Sequence, residues 1–262
     1  MPELAELRLT ADYINKAAKG KSFKSPKKNP VHKWKEFIMP RDSYGITAQS
    51  RGKELILYMD QYPIRMSMGM SGHFRLTETG KEHKHSHLIF EAHDGTSLSF
   101  VDVRRFGKWW PNRYWSEDRG PDPTTEFVQF VDNIRENLGR PAFNKPICEV
   151  LLNQKYFNGI GNYLRAEIIY RIPNLNPFLI ARQALTLYFD EITSLCNKIP
   201  LEAYQRGGGA IKDWENPFGA KVDIGPFMKC YGNPEMAREK DKNGRMIWYH
   251  PKFKLENVKE KV

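Results

Sequence analysis

Cysteine is scarce. Cys148, Cys196 and Cys230 are an odd number set far apart among 262 residues. That argues against a disulfide framework and against a four-cysteine zinc site. No apolar run approaches the roughly 20 residues needed to span a bilayer, and no signal-peptide apolar region opens the chain. A soluble intracellular protein is expected. The chain also lacks a phosphate-cradling P-loop, a dinucleotide-binding glycine fingerprint and any internal repeat. Gly207-Gly208-Gly209 is without the strand–helix setting those motifs need. Acidic residues are missing from Lys19 to Lys35, where Lys19, Lys21, Lys24, Lys27, Lys28, Lys33 and Lys35 crowd one segment.

What is present is a folded, basic chain. Hydrophobic residues make up 40% and aromatics 13%, enough for two modest domains with real cores, and the formal net charge is +10. A basic surface favours polyanions, of which nucleic acid is the commonest inside cells. The basic bias returns near the C-terminal end with Arg238, Lys240, Lys242, Arg245, Lys252 and Lys254, interleaved with Trp248, Tyr249 and Phe253.

The N-terminus carries a possible nucleophile. If Met1 is removed, Pro2 presents a secondary amine, which attacks an electrophilic sugar carbon to give an iminium ion. An α-amino group titrates near 8, far below lysine at about 10.4. Leu4, Leu7, Ala11, Ile14 and Ala18 follow the stripe of an amphipathic helix, with Gly20 as its stop. Proline suits a first helical position, and the positive end of the helix dipole disfavours protonation of the amine. Glu3 lies within proton-transfer reach, although its charge pulls the amine the other way. Taken alone, Pro2 and Glu3 read as the start of an ordinary helix, since both fit its usual start signals.

A β-patterned region follows. Tyr44–Gln49 and Glu54–Met59 flank a hairpin, as do Ile64–Met70 and His73–Thr77. His87–Ala92 and Ser97–Val103 flank Asp94-Gly95, and Lys108–Asn112 ends the region. Short antiparallel strands at this spacing predict a sandwich. Pro111 to Thr125, with three prolines and a glycine, predicts a boundary between domains 1–118 and 119–262. Beyond it the period is helical: Phe127 to Leu138, Ile147 to Gln154, Leu164 to Ile169 and Phe178 to Ile199. Asn243-Gly244 predicts a late hairpin turn with Arg245 just past it. His83, His85 and His87 alternate, but no carboxylate or cysteine accompanies them nearby, so no metal site is expected.

Asn153 to Glu167 places two glycines and two asparagines between apolar helices, a tight turn with backbone N–H groups at a helix start and so a ready phosphate site. This stretch resembles the helix–two-turn–helix element of the formamidopyrimidine-DNA glycosylase/endonuclease VIII family. Pro2, Glu3 and Glu6 match that family's N-terminal motif, with Ala5 in place of a usual second proline. Arg51-Gly52-Lys53-Glu54-Leu55 resembles the loop of a catalytic, phosphate-contacting lysine, placed at Lys53. Gly69-Met70-Ser71-Gly72 and Val101 to Trp109 resemble the two intercalation loops, with Met70, Arg104 and Phe106 as void-filling residues. Asn162 and Arg245 fall on phosphate-binding positions. The matches run from residue 2 to about residue 250, in the family's order. Only Cys230 stands where bacterial members carry a zinc finger, so the chain is similar to the zincless-finger, endonuclease VIII-like branch.

The resemblance implies an α+β fold. It consists of an N-terminal helix with an antiparallel β-sandwich, then a mainly helical domain with a zincless finger hairpin at about 225–255. It implies a bifunctional DNA glycosylase/AP lyase of base excision repair, acting on damaged double-stranded DNA, with single-stranded or bubble DNA as further candidate substrates. The bases removed are oxidised pyrimidines, formamidopyrimidines and hydantoins. Pro2 is the nucleophile, Glu3 the general acid/base, Glu6 a support and Lys53 a catalytic lysine; Met70, Arg104, Phe106, Asn162 and Arg245 hold DNA. β- and δ-elimination follow. No metal or organic cofactor is implied. A monomer without membrane association is implied, nuclear if the source is eukaryotic. Two alternatives stay open: a catalytically inactive DNA-binding module of the same fold, and a glycosylase selective for oxidised purines. Gly207 to Asp213 is a candidate lesion-reading loop.

Overall fold

The computed structural model describes residues 1–209, 214–219, 225 and 227–254. Helix α1 spans Leu4–Ala18 and ends at Lys19, ahead of Gly20 at φ +72°. Eight strands follow: β1 Lys27–Lys28, β2 Ile46–Arg51, β3 Glu54–Met59, β4 Tyr62–Ser67, β5 His73–Glu78, β6 Ser86–Glu91, β7 Thr96–Val101 and β8 Lys108–Pro111. They form two four-stranded antiparallel sheets, ordered β2-β3-β4-β8 and β1-β6-β7-β5. Leu55, Leu57, Ile64 and Met66 from one sheet share a buried cluster with Phe74, Leu88, Phe90 and Phe100 from the other. Burial of each such side chain contributes about 1.5–3 kcal/mol. The expected α+β sandwich is therefore present.

The helical part contains α2 Phe127–Asn137, α3 Ile147–Val150, α4 Asn162–Tyr170 and α5 Ala181–Gln205, followed by the hairpin β9 Ala237–Lys240 and β10 Met246–Tyr249. Phe130, Ile147, Phe157, Leu164, Ile168, Ile192, Ile247 and Tyr249 belong to its core. Helix α1 bridges the two clusters. Leu4 and Ala5 are buried in the helical cluster, while Leu7, Ala11, Ile14 and Ala18 are buried in the sandwich. Its first turn, with Pro2, Glu3 and Glu6, consequently lies at the seam.

Several boundaries differ from the sequence pattern. Strand β2 runs two residues further than expected, because Gly52 at φ +57° lets a two-residue turn reverse the chain. The lysine-rich connection contains β1, pairing Lys27 with Ile89 and Lys28 with Leu88. Helix α3 is a single turn, because the Asn153 side chain accepts the Lys155 N–H at 3.1 Å and draws the chain into a turn. Helix α5 starts at Ala181, after Asn176 Oδ1 accepts the Phe178 N–H at 2.9 Å. It then bends at Tyr188 and continues past Pro200 to Gln205. The segment between the clusters is fastened rather than loose. Gly120 N–H donates to the Gln154 carbonyl at 3.0 Å, and Asn158 Nδ2 donates to the Gly120 carbonyl at 2.8 Å. Among the described residues no helix is long and apolar enough to cross a membrane.

Candidate active site and nucleic-acid interface

The first turn of α1 is organised by its two buried carboxylates. The Glu3 N–H donates to Glu6 Oε2 at 2.7 Å. The Glu3 carboxylate accepts the N–H groups of Tyr163 at 3.1 Å and Leu164 at 3.3 Å. Glu3 therefore caps the start of α4, where a negative charge also meets the positive end of the helix dipole. This corrects one expectation: the Tyr163 and Leu164 N–H groups in the first turn of that helix are engaged by Glu3 and are not open to a phosphate. Glu6 Oε1 accepts the Tyr163 hydroxyl at 3.0 Å and the Gly209 N–H at 2.6 Å. Burial pushes the Glu3 carboxyl above its usual value and pushes Glu6 up to about 7.

Lys53 sits in the β2–β3 turn, and its Nζ donates to the Ile160 carbonyl at 2.8 Å. Burial pushes its ammonium down to about 8; Arg119 and Arg245 add to that, while Glu3 and Glu6 oppose it. Three glycines let these elements meet. A Cβ on Gly161 would lie 2.1 Å from Glu3 Cδ and 2.5 Å from Lys53 Nζ. A Cβ on Gly159 would lie 2.6 Å from Leu4 Cδ1, and one on Gly52 would lie 2.0 Å from Asn158 Oδ1. Pro2 is buried beside this cluster, and Met1 is 54% exposed. The terminal amine on Met1 is held below its ordinary value, chiefly by burial, with Lys53 and Arg104 assisting and Glu3 and Glu6 opposing. With Met1 attached, the Pro2 nitrogen is an amide. Its removal would leave a secondary amine at the buried position.

The loops carrying Met70, Arg104 and Phe106 lie against each other. A Cβ on Gly69, at φ +62°, would meet Gly107 N at 2.7 Å and Phe106 C at 2.8 Å. Arg104 Nη1 approaches Met70 Sδ at 3.6 Å. Arg104 and Phe106 are exposed, Met70 is half-buried, and Arg105 between them has φ +58°. Fully buried Asp102 ties the loops together. Its Oδ1 accepts the Ser71 hydroxyl at 2.6 Å and the Arg104 N–H at 3.2 Å, and its Oδ2 accepts the Gly107 N–H at 2.7 Å. His87 Nε2 lies 2.9 Å from the Asp102 carbonyl, so the alternating histidines pack behind this loop.

Asn162 opens α4, and exposed Arg245 follows the turn of the β9–β10 hairpin. Asp241, rather than Asn243, shapes that turn: its Oδ1 accepts the Asn243 N–H at 2.9 Å and the Arg245 N–H at 2.8 Å. At the other end of the finger, buried Glu167 accepts the N–H groups of Lys229, Cys230 and Tyr231 at 3.1, 2.9 and 2.8 Å. Residues 226 and 255 of the expected finger, and 210–213 of the candidate lesion-reading loop, lie outside the described residues.

Sequence reasoning missed Asp102, Tyr163, Arg165, Glu167 and Gly209 as organising groups. Their partners are remote in the chain, and nothing local signals such pairings.

Comparison with known proteins agrees with this fold. The family profile for the formamidopyrimidine-DNA glycosylase N-terminal domain matches residues 1–109. Endonuclease 8-like 1 from Homo sapiens is 36% identical over 285 residues, covering 95% of this chain and 72% of the relative. Formamidopyrimidine-DNA glycosylase from Listeria monocytogenes is 26% identical over 251 residues, covering 90% of each. The crystal structure of the Fpg protein from Thermus thermophilus superposes with a TM-score of 0.81 at 22% identity, over 96% of this chain and 98% of that one. A Lactococcus lactis Fpg complex with DNA containing Fapy-dG gives a TM-score of 0.79 at 21% identity, over 97% and 100%.

Proposed function

The chain belongs to the formamidopyrimidine-DNA glycosylase/endonuclease VIII family, and from that premise we propose that it is a bifunctional DNA glycosylase/AP lyase of base excision repair. The observation that carries the reading is the cluster at the first turn of α1. A buried Pro2, two buried carboxylates with raised values and a lysine lowered to about 8 are gathered at this turn, and Glu3 and Lys53 meet at Gly161. Perturbed titrations of this kind mark groups suited to moving protons near neutral pH.

In this mechanism the protein holds duplex DNA by phosphates and turns a damaged nucleotide out of the stack. Met70, Arg104 and Phe106 fill the space left behind. The freed Pro2 nitrogen attacks C1′ of the sugar and the damaged base departs. Glu3 exchanges protons with the sugar; Glu6, tied to Glu3 N–H, Tyr163 and Gly209, holds the turn. Lys53, Asn162 and Arg245 bind phosphates around the lesion. The iminium intermediate undergoes β- and then δ-elimination.

The resemblance to the zincless-finger, endonuclease VIII-like branch favours oxidised pyrimidines, ring-opened purines and hydantoins as substrates. The same reading gives a monomer acting on duplex DNA, with single-stranded or bubble DNA as further substrates, nuclear in a eukaryotic source. The test is a panel of duplexes, each with one lesion, given to protein with and without Met1. Nicking of oxidised-pyrimidine and hydantoin duplexes by the processed form alone supports the reading. Preferred nicking at 8-oxoguanine replaces the substrate assignment. Tight binding without nicking by processed protein replaces the enzyme with a binding module.

A further inference from the structure

Arg165 lies within α4, where its place in the sequence suggests an ordinary helix-surface arginine. Instead it is buried and paired with Asp241 at 2.9 Å; the two side chains are 0% and 1% exposed. Its guanidinium makes three more hydrogen bonds: to the Cys148 carbonyl at 2.8 Å, to Asn162 Oδ1 at 2.7 Å and to the Met246 carbonyl at 3.1 Å. One side chain thus joins the helix start carrying Asn162 to both sides of the turn carrying Arg245.

The chemistry of that junction is directional. A guanidinium only donates, so Arg165 fixes the Asn162 amide with its oxygen inward and its Nδ2 donor outward. An outward donor is what a phosphate oxygen requires. Asp241 is held on the other side. Its second oxygen takes the N–H groups of Asn243 and Arg245 and sets where the Arg245 side chain leaves the backbone. Burial pushes the Asp241 carboxyl up, but the Arg245 N–H and the Arg165 guanidinium more than offset this and hold it below its ordinary value. A buried ion pair of this sort fixes one arrangement more than it adds stability.

We propose that Arg165, through its buried pair with Asp241, is a positioning residue that presents the Asn162 amide and the Arg245 side chain together to consecutive phosphates. This rests on the reading of Asn162 and Arg245 as phosphate-binding residues. It gives the finger a fastening built from one buried cation and one buried anion.

The test is equilibrium binding of the full chain to a duplex with an uncleavable abasic-site analogue, over a range of salt, with Asn162→Ala, Arg245→Ala, Arg165→Lys and their combinations. Lysine keeps the charge opposite Asp241 but lacks the planar fork. Arg165→Lys is expected to weaken binding about tenfold and to lower the salt slope by up to about one phosphate contact's worth, roughly 0.9, because Arg245 is charged and the Asn162 amide is not. Adding Asn162→Ala to it should cost less than about twofold more, because coupled groups are not additive. Multiplied losses, or wild-type affinity for Arg165→Lys, would overturn the positioning role. If Arg165→Lys does not fold, Asp241→Asn combined with Arg245→Ala carries the same test. Wild-type affinity in both Asn162→Ala and Arg245→Ala would overturn the phosphate-binding reading and the positioning role with it. Weakened single variants with multiplied combinations would overturn only the positioning role.

Discussion

The Glu3 carboxylate and the Lys53 ammonium meet across the bare Cα of Gly161, so closely that a methyl group there would strike both. Gly161 has φ −125°, a conformation open to any residue, so its requirement is purely one of space. Gly161→Ala is expected to displace Glu3 or Lys53. Overpacking of this kind costs about 1–3 kcal/mol of stability, and a displacement near 1 Å lowers turnover about 100-fold. Single-turnover nicking of an abasic duplex, beside a thermal melt, checks this; near-native nicking would show that the contact is not needed.

Glu6 predicts a pH dependence of stability. Its folded value, about 7, lies above its reference value of 4.5 because of burial. The folded state then binds this proton more tightly than the unfolded state does. Its contribution is fully present below pH 4.5 and is lost as pH rises through 7, by at most about 3 kcal/mol. Denaturant unfolding should show the wild type losing more stability between pH 5 and pH 8 than Glu6→Gln loses over the same range. Equal slopes in the two proteins would contradict the assignment.

Asp102 holds the loops of Met70, Arg104 and Phe106 in one arrangement. If these side chains fill the gap left by an extruded nucleotide, they matter only where a stack has been opened, a cost of a few kcal/mol. Asp102→Ala should therefore lower excision from duplex DNA about tenfold or more, yet lower nicking of an abasic single strand by less than about threefold. Equal losses on both substrates would indicate general destabilisation instead.

Much of this arrangement was legible in the sequence because its signals are local. The stripe from Leu4 to Ala18 gave α1, the Glu54–Met59 run matched β3, and Asn243-Gly244 marked the finger turn. Loops carrying Met70, Arg104 and Phe106 were found by resemblance, and the structure brings them into contact. What stayed hidden were pairings across long stretches of chain. Glu3 bonds Tyr163 and Leu164, and Glu6 bonds Gly209. Nothing in the sequence marks Arg165 and Asp102 as buried, because burial of a charged residue has no sequence signature of its own. Strand β1 was missed because two lysines on a sheet edge show no apolar alternation.

The central claim is that the residue-2 nitrogen, freed of Met1, bonds covalently to the sugar. Borohydride trapping on an abasic duplex, followed by mass mapping of the cross-linked peptide, tests it most directly. The account predicts an adduct on the peptide beginning at Pro2 and none from chains that retain Met1. An adduct on the Lys53 peptide, or an equal yield from Met1-bearing protein, would contradict it.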